Sequence, residues 1–204
     1  MAVVGFALPL RRLRRVELPI RAASLARYLI GRVIVRDAPE GRSAARIIET
    51  EAYQPGDAAA HSFRGRTQRN GSLFLRRGHA YVYFIYGNHY CFNVTAERAG
   101  TGAGVLIRAA EPLEGIDLMR VRRAGSSDRD LLRGPGRLAQ ALAIGRESDG
   151  LDLCVPGPLW LAERVGPEPE IGVSRRIGIS KEIDRPLRFF DVHSPLRSGP
   201  KSFS

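Results

Sequence analysis

The sequence has 204 residues, and its 44% hydrophobic content is enough for one sizeable core. Lys and Arg number 32 against 21 Asp and Glu, so the formal net charge of +11 predicts a polyanion, first of all nucleic acid, as the partner. A disulfide framework, a thiolate metal site and a membrane-spanning helix are disfavoured, because the two cysteines lie far apart and no apolar stretch approaches about 18 residues.

The N-terminal segment carries the basic run Arg11-Arg12-Leu13-Arg14-Arg15. This run follows an apolar start, which reverses the order found in a secretory signal peptide. We therefore predict a basic N-terminal arm over residues 1–20 and a single domain over residues 21–204.

The domain is predicted to begin with a short helix and a hairpin. Residues 24–30 carry apolar side chains at helical spacing, with Ser24 as the N-cap and Gly31 just beyond the end. Residues 32–36 and 44–53 alternate in the manner of strands and are separated by turn-forming residues, which predicts an antiparallel pair.

A second hairpin is predicted after a polar loop. Residues 54–72 are rich in Gly, Arg, Asn and Ser, as expected of an exposed loop that either contacts a nucleic-acid backbone or is simply solvated. Residues 81–85 and 90–95 are aromatic and β-branched runs on either side of Tyr86-Gly87-Asn88-His89. Gly-Asn is a tight-turn signal, so Tyr86 is expected beside an exposed hairpin tip.

The second half of the chain is predicted to mix strands and helices. A strand covers residues 104–109, helices cover residues 113–123 and 137–144, and a last strand covers residues 187–192. The rest of the tail is rich in Pro and Gly, and the polar end after Ser194 is expected to fray.

Two carboxylates in the strand at residues 44–53 are the first candidates for chemistry. A two-residue period places Glu49, Glu51 and Tyr53 on one face, with the two acids roughly 7 Å apart along the strand. One carboxylate of such a pair can deprotonate water for attack on an oxocarbenium-like carbon, as glycosidic hydrolysis requires. The alternative is a solvated strand face that carries two acids without a role.

Four of the six tyrosines fall within ten residues: Tyr81, Tyr83, Tyr86 and Tyr90. Enzymes that flip a base out of DNA need aromatic faces around it and a wedge to fill the gap in the stack. Alternate aromatic residues in a strand are also ordinary core, and we favour that interpretation for Tyr81 and Tyr90.

Metal-dependent deamination and lyase chemistry are both disfavoured. The His-x-Glu and Pro-Cys-x-x-Cys motifs of zinc deaminases are missing, and His89-x-Cys91 is too sparse for a zinc site, so no metal is assigned. Neither Lys181 nor Lys201 lies in a predicted site segment, so simple hydrolysis is preferred over a mechanism that forms a Schiff base.

The motifs taken together resemble the alkyladenine (3-methyladenine) DNA glycosylase family, in order from about residue 25 to residue 190. The matching motifs are Ile47-Ile48-Glu49-Thr50-Glu51-Ala52-Tyr53, His61-Ser62, Arg69-Asn70, Tyr81-Val82-Tyr83-Phe84-Ile85-Tyr86-Gly87, Asn93, Val105-Leu106-Ile107-Arg108-Ala109-Ala110-Glu111-Pro112-Leu113-Glu114-Gly115, Gly134-Pro135-Gly136-Arg137-Leu138-Ala139-Gln140-Ala141-Leu142 and Arg185-Pro186-Leu187-Arg188-Phe189-Phe190.

The resemblance implies an α+β (mixed α/β) domain with a curved antiparallel sheet flanked by helices, and no cofactor or metal. It implies excision of 3-methyladenine, 7-methylguanine, hypoxanthine or ethenoadenine from double-stranded DNA in base excision repair. We expect a monomer that acts on DNA and not at a membrane. The location expected is the cytoplasm, associated with the chromosome, or the nucleus if the source is a eukaryote.

The resemblance also assigns roles to the residues of the predicted catalytic and stacking site. Glu51 resembles the general base that activates water, and Arg108 resembles the partner that orients it. Tyr53, His61 and Tyr83 resemble the walls that stack on the flipped base.

Further roles concern base selection and DNA contact. Asn93 resembles the residue that rejects the 2-amino group of normal guanine, and Tyr86 resembles the wedge inserted into the duplex. Arg69 and Arg137 lie in matched motifs and are the candidate phosphate contacts. Glu49 resembles a supporting residue.

The chain departs from the family pattern in two places. Asn88 and His89 replace larger or more apolar residues beside the wedge. Residues 194–198 lack an expected aromatic-valine pair, and Arg197 takes the position whose backbone carbonyl is expected to help hold the water.

Three alternatives remain at this level. The charge alone fits a non-catalytic binder of structured nucleic acid equally well, and an arginine-rich coding bias would also produce it. A carbohydrate glycosidase using Glu49 and Glu51 is disfavoured, because neutral sugars gain nothing from a basic surface.

Overall fold

Eight strands form one antiparallel sheet in the computed structural model, which describes residues 8–85, 87 and 89–198. The strands are β1 (Val33–Ala38), β2 (Gly41–Tyr53), β3 (Ala80–Ile85), β4 (His89–Thr95), β5 (Gly104–Glu114), β6 (Leu159–Ala162), β7 (Ile171–Ser174) and β8 (Arg188–Asp191). Three helices flank this curled sheet, α1 (Ala22–Leu29), α2 (Ile116–Arg122) and α3 (Pro135–Ala141). The predicted α+β class is confirmed.

The long strand β2 is the centre of the sheet, whose order is β3-β4-β5-β2-β1-β6. One edge of β2 pairs with β5 along most of its length, while the other pairs first with β1 and then, at residues 49–51, with β8. β7 pairs with β8 at the outside. Irregular pairing with β5 between Ile47 and Thr50 bends the strand, as β-bulges do.

One large hydrophobic cluster joins the sheet to the helices, and α1 illustrates how its pattern does so. Its buried residues Ala22, Leu25, Ala26 and Leu29 follow the three-and-four spacing of a single helix face. Phe92 of β4, among the largest fully buried side chains, belongs to the same cluster. This packing covers one of the two faces of β2.

The start of α1 corrects the predicted helix at residues 24–30. The helix begins at Ala22, and Ser24 lies inside it and is not the N-cap. The Ala22 N–H donates instead to the carboxylate of Glu97, 3.1 Å away, so a side chain distant in sequence satisfies the helix end. Gly31 does lie past the end, at φ +82°.

The part of the predicted arm described from residue 8 onward contacts the domain closely. Leu13 and Leu18 are buried in the main cluster, and the Leu13 N–H donates to the Leu161 carbonyl of β6. The division of the chain at residue 20 stays a prediction.

Both predicted helices in the second half have different bounds. The pairing of β5 with β2 continues to Glu114, so the first helix starts at Ile116 and not at residue 113. Gly115 makes this change of direction possible, because it has φ +71° and a Cβ there would lie 2.3 Å from the Arg42 carbonyl oxygen. The second helix spans Pro135–Ala141, where residues 137–144 were predicted.

The tail contains more structure than its composition indicates. β6 and β7 were not predicted, because they are short and lie in the Pro- and Gly-rich part of the tail, whose composition indicated loops. The predicted strand at residues 187–192 is confirmed as β8. The expected fraying after Ser194 is wrong as far as Ser198, since both serines are buried. No helix in the described part of the chain is long and apolar enough to cross a membrane.

Candidate active site

Strand β2 presents its two carboxylates and a tyrosine on one face, as predicted. Thr50 points the other way, and its hydroxyl donates to the Ala26 carbonyl of α1 at 2.9 Å. Arg108 of β5 reaches both Glu49, at 3.1 Å, and Glu51, at 3.2 Å. Both carboxylate side chains are 0% exposed, so the alternative of a solvated strand face is wrong.

Both carboxylate oxygens of Glu51 have partners. The backbone N–H of Ile177 donates to Oε1 at 2.7 Å, on the same oxygen that faces Arg108. The Tyr53 hydroxyl donates to Oε2 at 3.0 Å. The position of Glu51 is therefore fixed from three directions.

Arg108 is the cation that joins the two acids. Burial alone lowers the pKa of Arg108, but the neighbouring charges of Glu51 and Glu49 outweigh it and raise the pKa above its usual value. Because the guanidinium also borders the cavity described below, it connects the buried acids to open space.

Glu49 is held by a second set of residues that the sequence analysis missed. Its Oε1 accepts from Arg188 at 2.7 Å and from the Ser198 hydroxyl at 2.8 Å, and its Oε2 accepts from the Ser198 N–H. Arg188 also donates to the Ser198 carbonyl at 3.2 Å. Glu49 therefore ties β8 and the end of the described chain to the site, and supports Arg108 from behind.

A cavity of about 570 Å³ opens beside these groups. It is lined by Tyr53, Ala58, Ala59, Ala60, His61, Leu73, Tyr81, Tyr83, Ile85, Cys91, Asn93, Gly104, Leu106, Arg108, Pro135, Ile177, Gly178, Ile179, Ser180 and Lys181. Its volume and its mixture of aromatic and polar walls are typical of a small-molecule site. Glu51 is not among the lining residues and lies behind Tyr53 and Arg108.

Three rings form one aromatic wall. His61 lies 4.4 Å from Tyr83 between ring centroids in an edge-on arrangement, and its Nδ1 is 2.8 Å from the Tyr81 hydroxyl. Although the His61 side chain is partly exposed, loss of solvent around its ring and the positive charge of Arg69 lower its pKa, which favours a neutral ring at pH 7. Tyr81 is buried as expected of a core residue, but it also lines the cavity.

Tyr53 has a guanidinium against its ring. The Arg176 guanidinium carbon lies 4.6 Å from the ring centroid, and Arg176 binds Asp57 through both terminal nitrogens at 2.5 and 3.1 Å. Both side chains of this ion pair are 0% exposed. Burial raises the pKa of Tyr53, with the negative charge of Glu51 adding to the effect, so its hydroxyl stays protonated. The pair was missed because its members are 119 residues apart.

Asn93 and Cys91 complete the floor of the cavity from β4. The side-chain amide of Asn93 donates to the Tyr81 carbonyl at 3.1 Å, which holds it across the β3–β4 pair. Cys91 pairs with Tyr83, and burial raises the pKa of both side chains, so the thiol stays protonated.

The candidate phosphate contacts are both exposed. Arg69 donates to the Phe84 carbonyl near the end of β3, at 3.0 Å. Arg137, in α3, pairs with Asp130 at 2.7 Å. Pro135, two residues earlier in that helix, lines the cavity. Tyr86, the predicted wedge, lies outside the described residues.

Arg197 and His89, two of the residues that depart from the family pattern, have defined contacts in the structure. The Arg197 carbonyl accepts from Arg133 Nε at 2.8 Å. His89 lies against the start of α3, where a Cβ at Gly136 would come within 3.0 Å of its ring. Asn88 lies outside the described residues.

The expectation that Lys181 lies outside the site is wrong. It lines the cavity, so one of the two lysines does lie at the site. Within the described ranges no group of three His, Cys, Asp or Glu side chains is placed to hold a metal ion. The arrangement instead offers a fixed carboxylate beside an aromatic cavity, which suits proton abstraction from a water next to a bound base.

Comparison with known proteins points to one family. The family model described as methylpurine-DNA glycosylase matches residues 18–195. A protein of Mesorhizobium japonicum, named "Putative 3-methyladenine DNA glycosylase", is 60% identical over 188 residues, which cover 92% of this chain and 90% of the relative. A protein of the same name from Paraburkholderia phytofirmans is 50% identical over 194 residues, which cover 95% and 91%.

The match includes every described element except the segment before residue 18 and the last three residues. It spans the carboxylates of β2, the arginine of β5 and the aromatic wall of β3, which are the groups that meet at the cavity. The chain therefore belongs to the methylpurine-DNA glycosylase family.

Proposed function

We propose that the protein flips an alkylated or deaminated purine out of double-stranded DNA into the cavity and hydrolyses its N-glycosidic bond in base excision repair. The bases proposed are 3-methyladenine, 7-methylguanine, hypoxanthine and ethenoadenine. The observation that carries the proposal is the buried Glu51, fixed by Arg108 and Tyr53 at the wall of an aromatic cavity.

In the proposed reaction Glu51 takes a proton from water, and the water oxygen forms a bond to C1′ as the bond to the base nitrogen breaks. The base leaves with the electron pair of that bond. Arg108 orients Glu51 and the water, and Glu49 holds Arg108 from the other side. The Tyr53 hydroxyl already donates to Oε2, so a water that binds this oxygen uses its remaining acceptor site.

The remaining assignments complete the proposal. Tyr53, His61 and Tyr83 stack on the base, and Asn93, held against Tyr81, leaves no room for the 2-amino group of guanine. Tyr86 is proposed as the wedge, on the grounds of the family resemblance and of its place in the sequence between β3 and β4.

DNA binding is proposed to use the exposed arginines near the cavity. Arg69 and Arg137 contact phosphates, supported by their exposure and by their contacts near β3 and in α3. We propose a monomer that works on the chromosome, in the cytoplasm or in a eukaryotic nucleus. The division into an arm over residues 1–20 and a domain over residues 21–204 belongs to this proposal.

The test is release of free base from duplexes that each carry one hypoxanthine, ethenoadenine or 7-methylguanine, and from methylated DNA, with EDTA present. We expect free base and an abasic strand that stays uncut until it is treated with alkali. DNA binding without release of any base would support the non-catalytic alternative and overturn the proposal.

A further inference from the structure

Five consecutive residues, 177–181, form one wall of the cavity and end in Lys181. The segment is anchored at its start, where Arg176 binds Asp57 and the Ile177 N–H binds Glu51. The same backbone run therefore fixes the proposed general base and presents a lysine to the same cavity.

The charge of this lysine is not balanced by an acid among the residues that the structure describes. The nearby acids have other partners: Asp184 binds Arg175 at 3.0 Å, and Glu182 lies 3.9 Å from Arg185. The part of the cavity wall that the structure describes includes no Asp or Glu. Arg108, the other cation in the wall, is paired with both Glu49 and Glu51. Lys181 is therefore the source of net positive charge in the cavity.

Positive charge affects the proposed substrates differently. A cationic alkylated purine leaves as a neutral base, so nearby positive charge gives it no help. A neutral lesion such as hypoxanthine leaves with the electron pair of the broken bond and develops negative charge in the ring. An ammonium group beside the ring stabilises that charge.

We propose that Lys181 contacts the departing base and assists the excision of neutral lesions, an inference that rests on the proposed function. The ammonium donates a hydrogen bond to a purine ring nitrogen and passes its proton to the leaving base as the bond to C1′ breaks. The resulting neutral amine regains a proton from solvent, because Lys181 is exposed.

The experiment compares Lys181→Met with Lys181→Arg in single-turnover assays with saturating enzyme, on duplexes that contain hypoxanthine or 7-methylguanine. We expect Lys181→Met to slow hypoxanthine release by about a hundredfold or more, the scale of a lost acid catalyst, and to leave 7-methylguanine release within about twofold. The 7-methylguanine rate also reports that the variant is folded. Lys181→Arg keeps the charge, but a guanidinium does not release a proton at neutral pH, so we expect it to restore only the part of the hypoxanthine rate that comes from charge.

Two outcomes would overturn the inference: an equal fall with both lesions, which would indicate a general DNA contact, or no fall with hypoxanthine. A wild-type protein that releases 7-methylguanine but no hypoxanthine would also overturn it while leaving the proposed hydrolysis intact. Failure to release either base would instead reject the proposed function itself.

Discussion

At the scale of single residues, Tyr53 has two roles that conflict. Its ring lines the cavity, while its hydroxyl donates to Oε2 of Glu51 and competes there with the water of the proposed reaction. The ring therefore favours substrate binding, while the hydroxyl holds Glu51 in a resting arrangement.

This separation predicts that Tyr53→Phe, which removes only the hydroxyl, excises ethenoadenine at least as fast as the wild type in single-turnover assays. Tyr53→Ala removes the ring as well, and we expect it to bind and excise more weakly by about tenfold or more, since stacking on one aromatic ring contributes about 1–3 kcal/mol. A large loss of rate in Tyr53→Phe would show instead that the hydroxyl takes part in the reaction.

At the scale of elements, two loops hold the site together through one buried ion pair. Asp57 follows β2 and Arg176 follows β7, and their contact places the Ile177 N–H on Glu51. Arg176 also donates to the Ala52 carbonyl at 3.0 Å. The geometry of Glu51 therefore depends on a contact between loops as well as on the sheet.

We expect Asp57→Asn to lower the free energy of unfolding by about 3 kcal/mol, because it leaves the buried charge of Arg176 without its partner. In a chain of this size that corresponds to a fall in Tm of roughly 6–12 °C, measured by thermal denaturation. Asp184→Asn is the matched control, since its ion pair with Arg175 in the same loop is exposed and its loss is expected to change Tm little. Equal effects of the two variants would contradict the structural role given to Asp57.

The elements also show what sequence patterns could and could not predict. Both hairpins and the shared face of Glu49 and Glu51 were predicted, because a two-residue period and turn residues are local signals. The cap of α1 by Glu97 and the clamp on Glu49 by Ser198 were missed. Those contacts join residues far apart in sequence, and no periodicity encodes them.

At the scale of the whole molecule, positive charge covers the surface but is balanced inside. The +11 net charge comes mostly from arginines, many of which are paired at the surface, while the buried arginines of the site are matched by Glu49, Glu51 and Asp57. The residue roles at the site were supplied by the family resemblance. Composition and spacing alone left the glycosidase and the binder open.

Binding to undamaged duplex DNA is therefore expected to weaken steeply as salt rises. Arg69→Ala and Arg137→Ala should each reduce the slope of log affinity against log salt by about 0.9, the effect of one lost phosphate contact. Arg120→Ala is the control. Arg120 lies in α2, which follows the last residue of β5, whereas Gly104 is the first residue of that strand. Its guanidinium is paired with Asp117 and Asp128. A slope unchanged in both test variants would place the DNA on another surface.

Whether Glu51 is the general base is decided by Glu51→Gln, in parallel measurements of lesion binding and single-turnover base release. The glutamine keeps the size of the side chain and one oxygen that can accept from the Ile177 N–H, but it is uncharged and cannot take up a proton from water. We predict that the variant binds a hypoxanthine or 7-methylguanine duplex with affinity within a few-fold of the wild type and releases base slower by about a hundredfold or more. Release at the wild-type rate would contradict the account and assign the base to another residue.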